Sequence, residues 1–476
     1  MTELVVGPFN RVEGDLEVHL TVHEGRVVEA RVNSPLYRGF ERMLHGKDPR
    51  DALTITPRIC GICSISQSAA AARALAAAQG ITPAPMGEIT AALIHAVENA
   101  ADHLTHFNLF FMPDFARPAY RGQAWHDRAV RRFTAMEGSA ARAAVEARAA
   151  LLHILGLLAG KWPHTLAIQP GGVTKTPTAR DLIRIGASLR AFRRYLEEVL
   201  FGAPVEDFAA LSTPEALCRW DRGDAGLFVE IGTGLALDRI GAGPGRYLSF
   251  GAYPRPRGEG FRGGLWQDGA LSPVDPALIA EDLSHSWMLG PAAHPHQGET
   301  IPDEDMRDSA YSWCKAPRYA GQVVETGALA RQVTDGHPLA LAYAGAGGGG
   351  VLGRVAGRLL ELARTQLFME DCLARIDPNE RFMVRGTIPA EGRGAGLVEA
   401  ARGALGHWLT IEKGRIARYQ IIAPTTWNFS PRDAGGVPGA LEAALVGAEV
   451  GEGEATPLTV QHIVRSFDPC MVCTVH

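Results

Sequence analysis

Cysteine is scarce in this chain, and the scarcity sets the first bound. Seven thiols spread over 476 residues are too few for the dense disulfide framework of a small secreted domain, so a reduced, intracellular setting is expected. Long apolar runs are also missing. The longest, near residues 149–160, is broken by His153 and falls short of the roughly 20 residues that a membrane-spanning helix needs. Met1-Thr2-Glu3-Leu4-Val5-Val6-Gly7 shows no basic segment followed by an apolar one, so no signal peptide is expected and a cytoplasmic location follows. A partner carrying its own signal would be the route to export. Positive charge is not in excess either: a net charge of −5 gives no footing for nucleic acid or for an anionic membrane surface. A dinucleotide fingerprint is incomplete. Residues 345–350 formally contain G-x-G-x-x-G, but no strand precedes them, and a loop before a helix is the better reading.

What is present is an ordinary soluble composition, 46% hydrophobic and 21% charged, sufficient for a large core. Length alone suggests about three domains, but the placement of the cysteines argues for one interwoven unit over residues 1–476. Residues 2–33 read as β. Alternation over 16–22 and again over 26–32, with Glu24-Gly25 between them, predicts a hairpin, and the pattern returns at 407–411 and 415–422 around Lys413-Gly414. Both are expected to be small sheets capping a helical body. Apolar residues recur at helical spacing over 66–79, 88–112, 140–160, 178–201 and 352–376, with stops at Gly80 and Pro113. Helices of this size, roughly 30 Å long at 1.5 Å per residue, suggest a bundle. Residues 202–345 are richer in Gly, Pro and Asp and read as irregular surface excursions with short elements. The expected class is mainly α, of the α+β kind: a bundle of long helices with small peripheral β-hairpins, its N- and C-termini meeting at a buried metal centre.

The metal enters through two C-x-x-C pairs at opposite ends of the chain, Cys60-Gly61-Ile62-Cys63 and Cys470-Met471-Val472-Cys473. Four thiolates select a soft or borderline metal. The second pair lies among the last nine residues, where a chain is ordinarily frayed and expendable. On spacing alone two readings stand side by side. One is a structural zinc held by four cysteines, although zinc ribbons place their pairs some 15 to 20 residues apart. The other is a catalytic or redox metal, since tetrathiolate suits zinc, iron and nickel. A thioredoxin-like redox pair lacks its βαβ context. Cys218, Cys314 and Cys372 are isolated and read as small hydrophobes.

The segments around the pairs carry a resemblance. They are Arg11-Val12-Glu13-Gly14, Arg38-Gly39-Phe40-Glu41, Arg58-Ile59-Cys60-Gly61-Ile62-Cys63, Lys161-Trp162-Pro163-His164, Lys315-Ala316-Pro317-Arg318-Tyr319, Arg402-Gly403, Pro424-Thr425 and the final Asp468-Pro469-Cys470 to His476. In this order they resemble the large, catalytic subunit of nickel–iron hydrogenases, over essentially the whole chain. The resemblance implies Cys60 and Cys470 as terminal nickel ligands, with Cys63 and Cys473 bridging to an iron that holds carbon monoxide and cyanide, a Ni-Fe(CN)2(CO) centre. Dihydrogen (H2) would be split heterolytically there, with Cys470 the sulfur that takes the proton. Glu13 matches the family's proton-relay glutamate; by residue type alone it is an acid in a turn between two β segments. Arg402 matches the arginine that leans over the centre, with Asp114 and Asp468 as the carboxylates that hold it. Pro424 and Thr425 stand at the cyanides, Thr425 as a hydrogen-bond donor. Glu41, His476 and a backbone carbonyl within 419–423, that of Ile421, match a separate hard-metal site, usually magnesium (Mg2+). Fe-S clusters would belong to the partner only, an iron–sulfur small subunit joined in a heterodimer or a dimer of heterodimers, because too few cysteines remain here for a cluster relay.

Three positions depart from the common pattern. Asp15 stands where many relatives have histidine. Ile62 replaces the valine of oxygen-sensitive enzymes, and Phe110 falls where many have leucine. Ile62 and Phe110 together look like the bulkier gas-channel pair of hydrogen-sensing, regulatory hydrogenases. Read blandly, they are core variation of the kind tolerated when neighbouring volume compensates. Sensor types are also encoded to end at the histidine corresponding to His476, without the extension that other members lose during nickel insertion. The sequence therefore reads as a cytoplasmic hydrogen sensor that oxidises H2, passes electrons to its small subunit and reports to a sensor histidine kinase. The alternative is an energy-conserving uptake hydrogenase with its tail removed. A zinc-stabilised binding subunit is a distant third reading, and so is a metal-free subunit like that of respiratory complex I, whose kind lacks these cysteines.

Overall fold

The computed structural model describes residues 1–255 and 258–476. The chain opens with an antiparallel sheet of β1 (Thr2–Val6), β2 (Glu17–His23) and β3 (Arg26–Asn33), with β2 central. Val18, Leu20, Ala30 and Val32 are buried, so the period-two pattern that predicts the hairpin is also the face it turns to the core.

The long helices follow. α1 (Ser64–Gln79) ends at Gly80, whose φ of 64° is the left-handed cap expected of glycine. α2 (Pro85–Thr105) starts with proline in its first turn. Its apolar pattern runs on to Met112, but α-helical bonding stops earlier: His106–Phe111 is a π turn and Met112–Ala116 a 3-10 turn. Pro113 has no N–H to give to the preceding turn and its ring crowds that turn, so the ladder loosens ahead of it. α3 (Ser139–Ala159), α4 (Ala179–Tyr195) and α6 (Gly350–Arg375) fall where their periodicity predicts them, and between the last two lies α5 (Ala328–Thr334).

The expectation of surface excursions across 202–345 holds only in part. Short strands, turns and helices, the longest Gly223–Gly234, fill this region, yet Tyr247, Trp266 and all seven residues of α5 are buried. A helix this short shows no periodicity in sequence, and its single charge, Arg331, is paired inside the protein instead of facing water.

Near the C-terminus β4 (Gly392–Ala400), β5 (Gly403–Glu412) and β6 (Arg415–Ile422) form a second antiparallel sheet, with β5 central and buried along almost its whole length. β4 extends the expected hairpin. Gly394 and Gly396 explain how it packs. A methyl group there would come within 2.0 Å of the Ala74 carbonyl oxygen or 1.9 Å of that of Ala70, so only glycine lets α1 lie directly on the strand. That contact sets the depth of α1 and of Cys63 at its start. The chain's two ends also join. Val27 donates to the Ala448 carbonyl at 2.9 Å, and Val450 to that of Gly25 at 2.9 Å. No described helix is long and apolar enough to cross a membrane.

Candidate metal centre

Each cysteine pair sits where a bend opens into a helix. Cys63 is the N-cap of α1, and Cys470 that of the short helix Met471–Thr474. Their sulfurs converge: Sγ–Sγ separations are 3.5 Å for Cys60–Cys470, 3.2 Å for Cys63–Cys473 and 3.0 Å for Cys470–Cys473. All four sulfurs lie within 4.8 Å of one another, all are buried, and none forms a disulfide. Arg38 ties the two pairs together, its guanidinium donating to the Ile59 carbonyl at 2.5 Å and to the Val472 carbonyl. Thr425 Oγ1 accepts the Cys470 N–H at 3.1 Å, and Met471 donates to the Glu13 carbonyl at 2.7 Å.

Four sulfurs this close cannot all ionise on their own. The Cys60 thiol is pulled well below the usual range by hydrogen bonds from Cys470, Cys473 and Cys63. Cys63 rises because its own thiol donates to those neighbours, while Cys470 and Cys473 rise chiefly through burial. A cation that replaced their protons would satisfy all four at once, and the set of soft, buried, unpaired donors fits a borderline metal such as nickel together with iron. Glu13 is half-buried beside them. Burial and then the Cys60 charge push its pKa up, and Arg402 and Arg38 pull it back.

Arg402, in the turn between β4 and β5, is buried and faces the same centre. Its Nε donates to the Asp468 carbonyl at 3.0 Å, Nη2 to Asp468 Oδ1 at 3.1 Å, and Nη1 to Asp102 Oδ2 at 2.6 Å. Burial works against its charge, but Asp102 and Asp468, helped by the nearby sulfurs of Cys470 and Cys63, outweigh that and hold its pKa well above the ordinary value. One expected partner is thereby corrected: Asp114 does not hold Arg402. It bonds Arg465 at 2.7 Å, Arg117 at 2.9 Å and Arg11. Asp114 lies in the 3-10 turn beyond α2, and twelve residues on from Asp102 it is out of phase with that residue's face at about 3.6 residues per turn. The sequence reading missed Asp102, although a signal was there: it is one of a polar set, His95, Glu98, Asn99, Asp102, His103 and His106, that recurs at helical spacing in an otherwise apolar stretch and is wholly buried.

The second group of expected residues also meets. His476 Nε2 is 2.6 Å from the Ile421 carbonyl oxygen and 3.5 Å from Glu41 Oε1, and His476 Nδ1 faces the Cys473 carbonyl at 2.8 Å. Glu41 also receives the Ile421 N–H at 2.7 Å and the Lys315 ammonium at 3.1 Å. Burial pushes the Glu41 carboxyl up, yet Lys315 and His476 outweigh it and hold it at about 2. Lys315, part of the Lys-Ala-Pro-Arg-Tyr motif, thus belongs to this cluster. Of the remaining positions, Pro424 opens the helix that carries Thr425, the Ile62 N–H points at Cys60 Sγ at 3.2 Å, and Phe110 lies half-buried in the π turn.

A model of the nickel-dependent hydrogenase family matches residues 38–124 and 229–476. The periplasmic [NiFeSe] hydrogenase large subunit of Desulfomicrobium baculatum is 29% identical, over 100% of this chain and 95% of its own length. The hydrogenase-2 large chain of Escherichia coli K12 is 28% identical, over 99% of this chain and 97% of its own. Among solved structures, the reduced Ni-Fe-Se hydrogenase of D. vulgaris Hildenborough superposes with a TM-score of 0.86 at 29% identity, covering 100% of both chains.

Proposed function

This chain belongs to the nickel-dependent hydrogenase family, and on that premise we propose that it oxidises dihydrogen at a nickel–iron centre held by Cys60, Cys63, Cys470 and Cys473. It is the large subunit of a hydrogenase, an oxidoreductase, and its electrons pass to an iron–sulfur small subunit. The convergence of four buried thiols from opposite ends of the chain carries the reading. Such a centre, when bound, supplies heterolytic cleavage of dihydrogen and a store for its electrons.

The chain's own residues do the rest. Cys470, buried where the Glu13 segment pairs with it, is the sulfur that receives the proton. Glu13, whose backbone pairs with the Cys470 segment, takes the proton onward. Arg402, clamped by Asp102 and Asp468, presents a fixed cation to the bound centre. Pro424 positions Thr425, whose hydroxyl accepts from the Cys470 N–H and can turn its own proton to a cyanide nitrogen. Because residues 13, 60, 402 and 470 all contribute, residues 1–476 work as one unit. A hard divalent ion, magnesium, suits the oxygens of Glu41 and Ile421 together with His476.

The finer reading is a cytoplasmic hydrogen sensor, reporting through its small subunit to a histidine kinase. Ile62 supports it as a bulky residue inside the Cys60–Cys63 loop, its backbone N–H on Cys60 Sγ, and Phe110 is the second bulky residue of the pair. The test is to purify the complex with its small subunit, assay nickel by elemental analysis and record infrared spectra. Nickel together with carbon monoxide and cyanide stretches is expected. Zinc without those bands would overturn the reading.

A further inference from the structure

Cys63 has two demands on it that one side chain cannot meet. It is the N-cap of α1, the position whose side chain usually accepts the second and third backbone N–H groups of a helix. Its sulfur instead faces Cys473 and makes no capping bond. The first turn of α1 would be left with buried, unsatisfied donors directly behind a metal-ligating residue, at a cost of about 1–3 kcal/mol each.

Glu98 of α2 meets those donors from outside the helix. Its Oε2 accepts the Ile65 N–H at 2.8 Å and its Oε1 the Ser66 N–H at 2.9 Å. The hydroxyls of Ser66 and Ser64 add bonds at 3.1 and 3.4 Å. The fifth donor is the indole N–H of Trp162, at 2.9 Å from Oε2. Trp162 belongs to the Lys-Trp-Pro-His motif, which has no place in the chemistry described so far. Two residues on, the His164 N–H donates to Ser64 Oγ at 3.3 Å, and its Nδ1 lies 2.9 Å from the Pro57 carbonyl. The motif therefore grips the Cys60–Cys63 loop from both sides. Burial lifts the Glu98 pKa to about 7, while the Ile65, Trp162 and Ser66 donors oppose that rise because each favours the ionised form.

We propose that Glu98 is a positioning residue for the metal centre: it caps α1 in place of Cys63 and, with Trp162 and His164, locks the direction in which the Cys63 sulfur points. This deepens the hydrogenase reading and rests on it. Two variants of the complex with its small subunit test it. Trp162→Phe removes one donor and keeps the aromatic packing, and Glu98→Gln puts an amide NH2 among donors. Amide hydrogen exchange at Ile65 and Ser66 is expected to quicken about tenfold or more in both, and the cyanide stretches are expected to shift while nickel is retained. Unchanged exchange in Trp162→Phe would overturn the cap. Faster exchange with unmoved cyanide bands would make Glu98 a helix anchor alone and overturn its role at the centre. Should Glu98→Gln fail to fold, Trp162→Phe decides. If the unsubstituted complex shows no cyanide bands, the hydrogenase reading falls, and the exchange measurement still decides the cap.

Discussion

Asp102 Oδ2 stands 2.6 Å from Arg402 Nη1, although 300 positions separate the two residues in the chain. Asp468 holds the other end of the same guanidinium. Burial pushes the Asp102 carboxyl up to about 7, Arg402 pulls it down, and the neighbouring Asp468 charge pushes it up again. Arg402 is thus gripped by two acids, one from α2 and one from the segment that leads into Cys470.

The grip separates two aspartates that look equivalent in sequence. Asp102→Asn frees one arm of Arg402 and is expected to lower the rate of hydrogen oxidation about ten- to hundredfold, as the loss of a preorganised charge does, with nickel content unchanged. Asp114→Asn instead leaves Arg465 and Arg11 without their shared counter-ion and is expected to cost about 3–5 kcal/mol of stability. Thermal unfolding and dye reduction measured on both variants check this. The reverse pattern would return Asp114 to the centre.

Glu13→Gln keeps the shape of the side chain and removes its capacity to carry a proton. Hydrogen oxidation is expected to fall about 10^2- to 10^4-fold, with the metal centre's infrared bands present. A variant that keeps full activity would show that protons leave by another route.

Arg331 and Glu361 form a buried pair at 2.6 Å, with His103 2.9 Å from the same carboxylate. Burial would raise the Glu361 pKa, but Arg331 and His103 outweigh it and hold it at about 2, below the ordinary 4.5. A depressed folded-state value means that the stabilisation is fully present above pH 4.5 and is lost as pH falls through 2. It amounts to about 3 kcal/mol at about 1.4 kcal/mol per pKa unit. Glu361→Gln should lower stability at neutral pH and flatten the acid limb of a stability–pH curve. An unchanged limb would place the acid sensitivity elsewhere.

His476, Glu41 and the Ile421 carbonyl form the second cluster, with Lys315 beside Glu41. Added magnesium is expected to raise the melting temperature of the chelator-treated complex, and His476→Ala to abolish that rise. Equal stabilisation of both proteins by magnesium would place the ion elsewhere.

Ile62→Val and Phe110→Leu, made together, are expected to speed inactivation by oxygen while leaving the hydrogen KM within about twofold, since conservative apolar swaps usually cost little else. If oxygen inactivates the pair of variants no faster than the unsubstituted complex, these side chains do not filter gas.

Features written in neighbouring residues are legible in the amino-acid sequence itself. The two C-x-x-C spacings, the alternation of β2 and β3, and the stop at Gly80 are local patterns, dictated by backbone sterics and by the geometry of one helix or strand. The buried α5 and the third strand of the C-terminal sheet were not legible. A seven-residue helix is too short to show a period, and the strand Gly392–Ala400 spends glycines on close contact where a side-chain pattern would otherwise stand.

Which distant groups touch was settled only by packing. The polar set along α2 marks a buried face, but packing against the β4–β5 turn selects Asp102 for Arg402, while Asp114, out of phase with that face, meets Arg465. The seating of α1 on Gly394 and Gly396 places Cys63, and the pairing of Glu13 with Cys470 places the chain's end opposite it. Residue types state what chemistry is available. Partners hundreds of positions apart are chosen by how helices and strands fill space, because a hydrogen bond or a metal ligand must lie within a few ångströms and only the folded chain sets such distances.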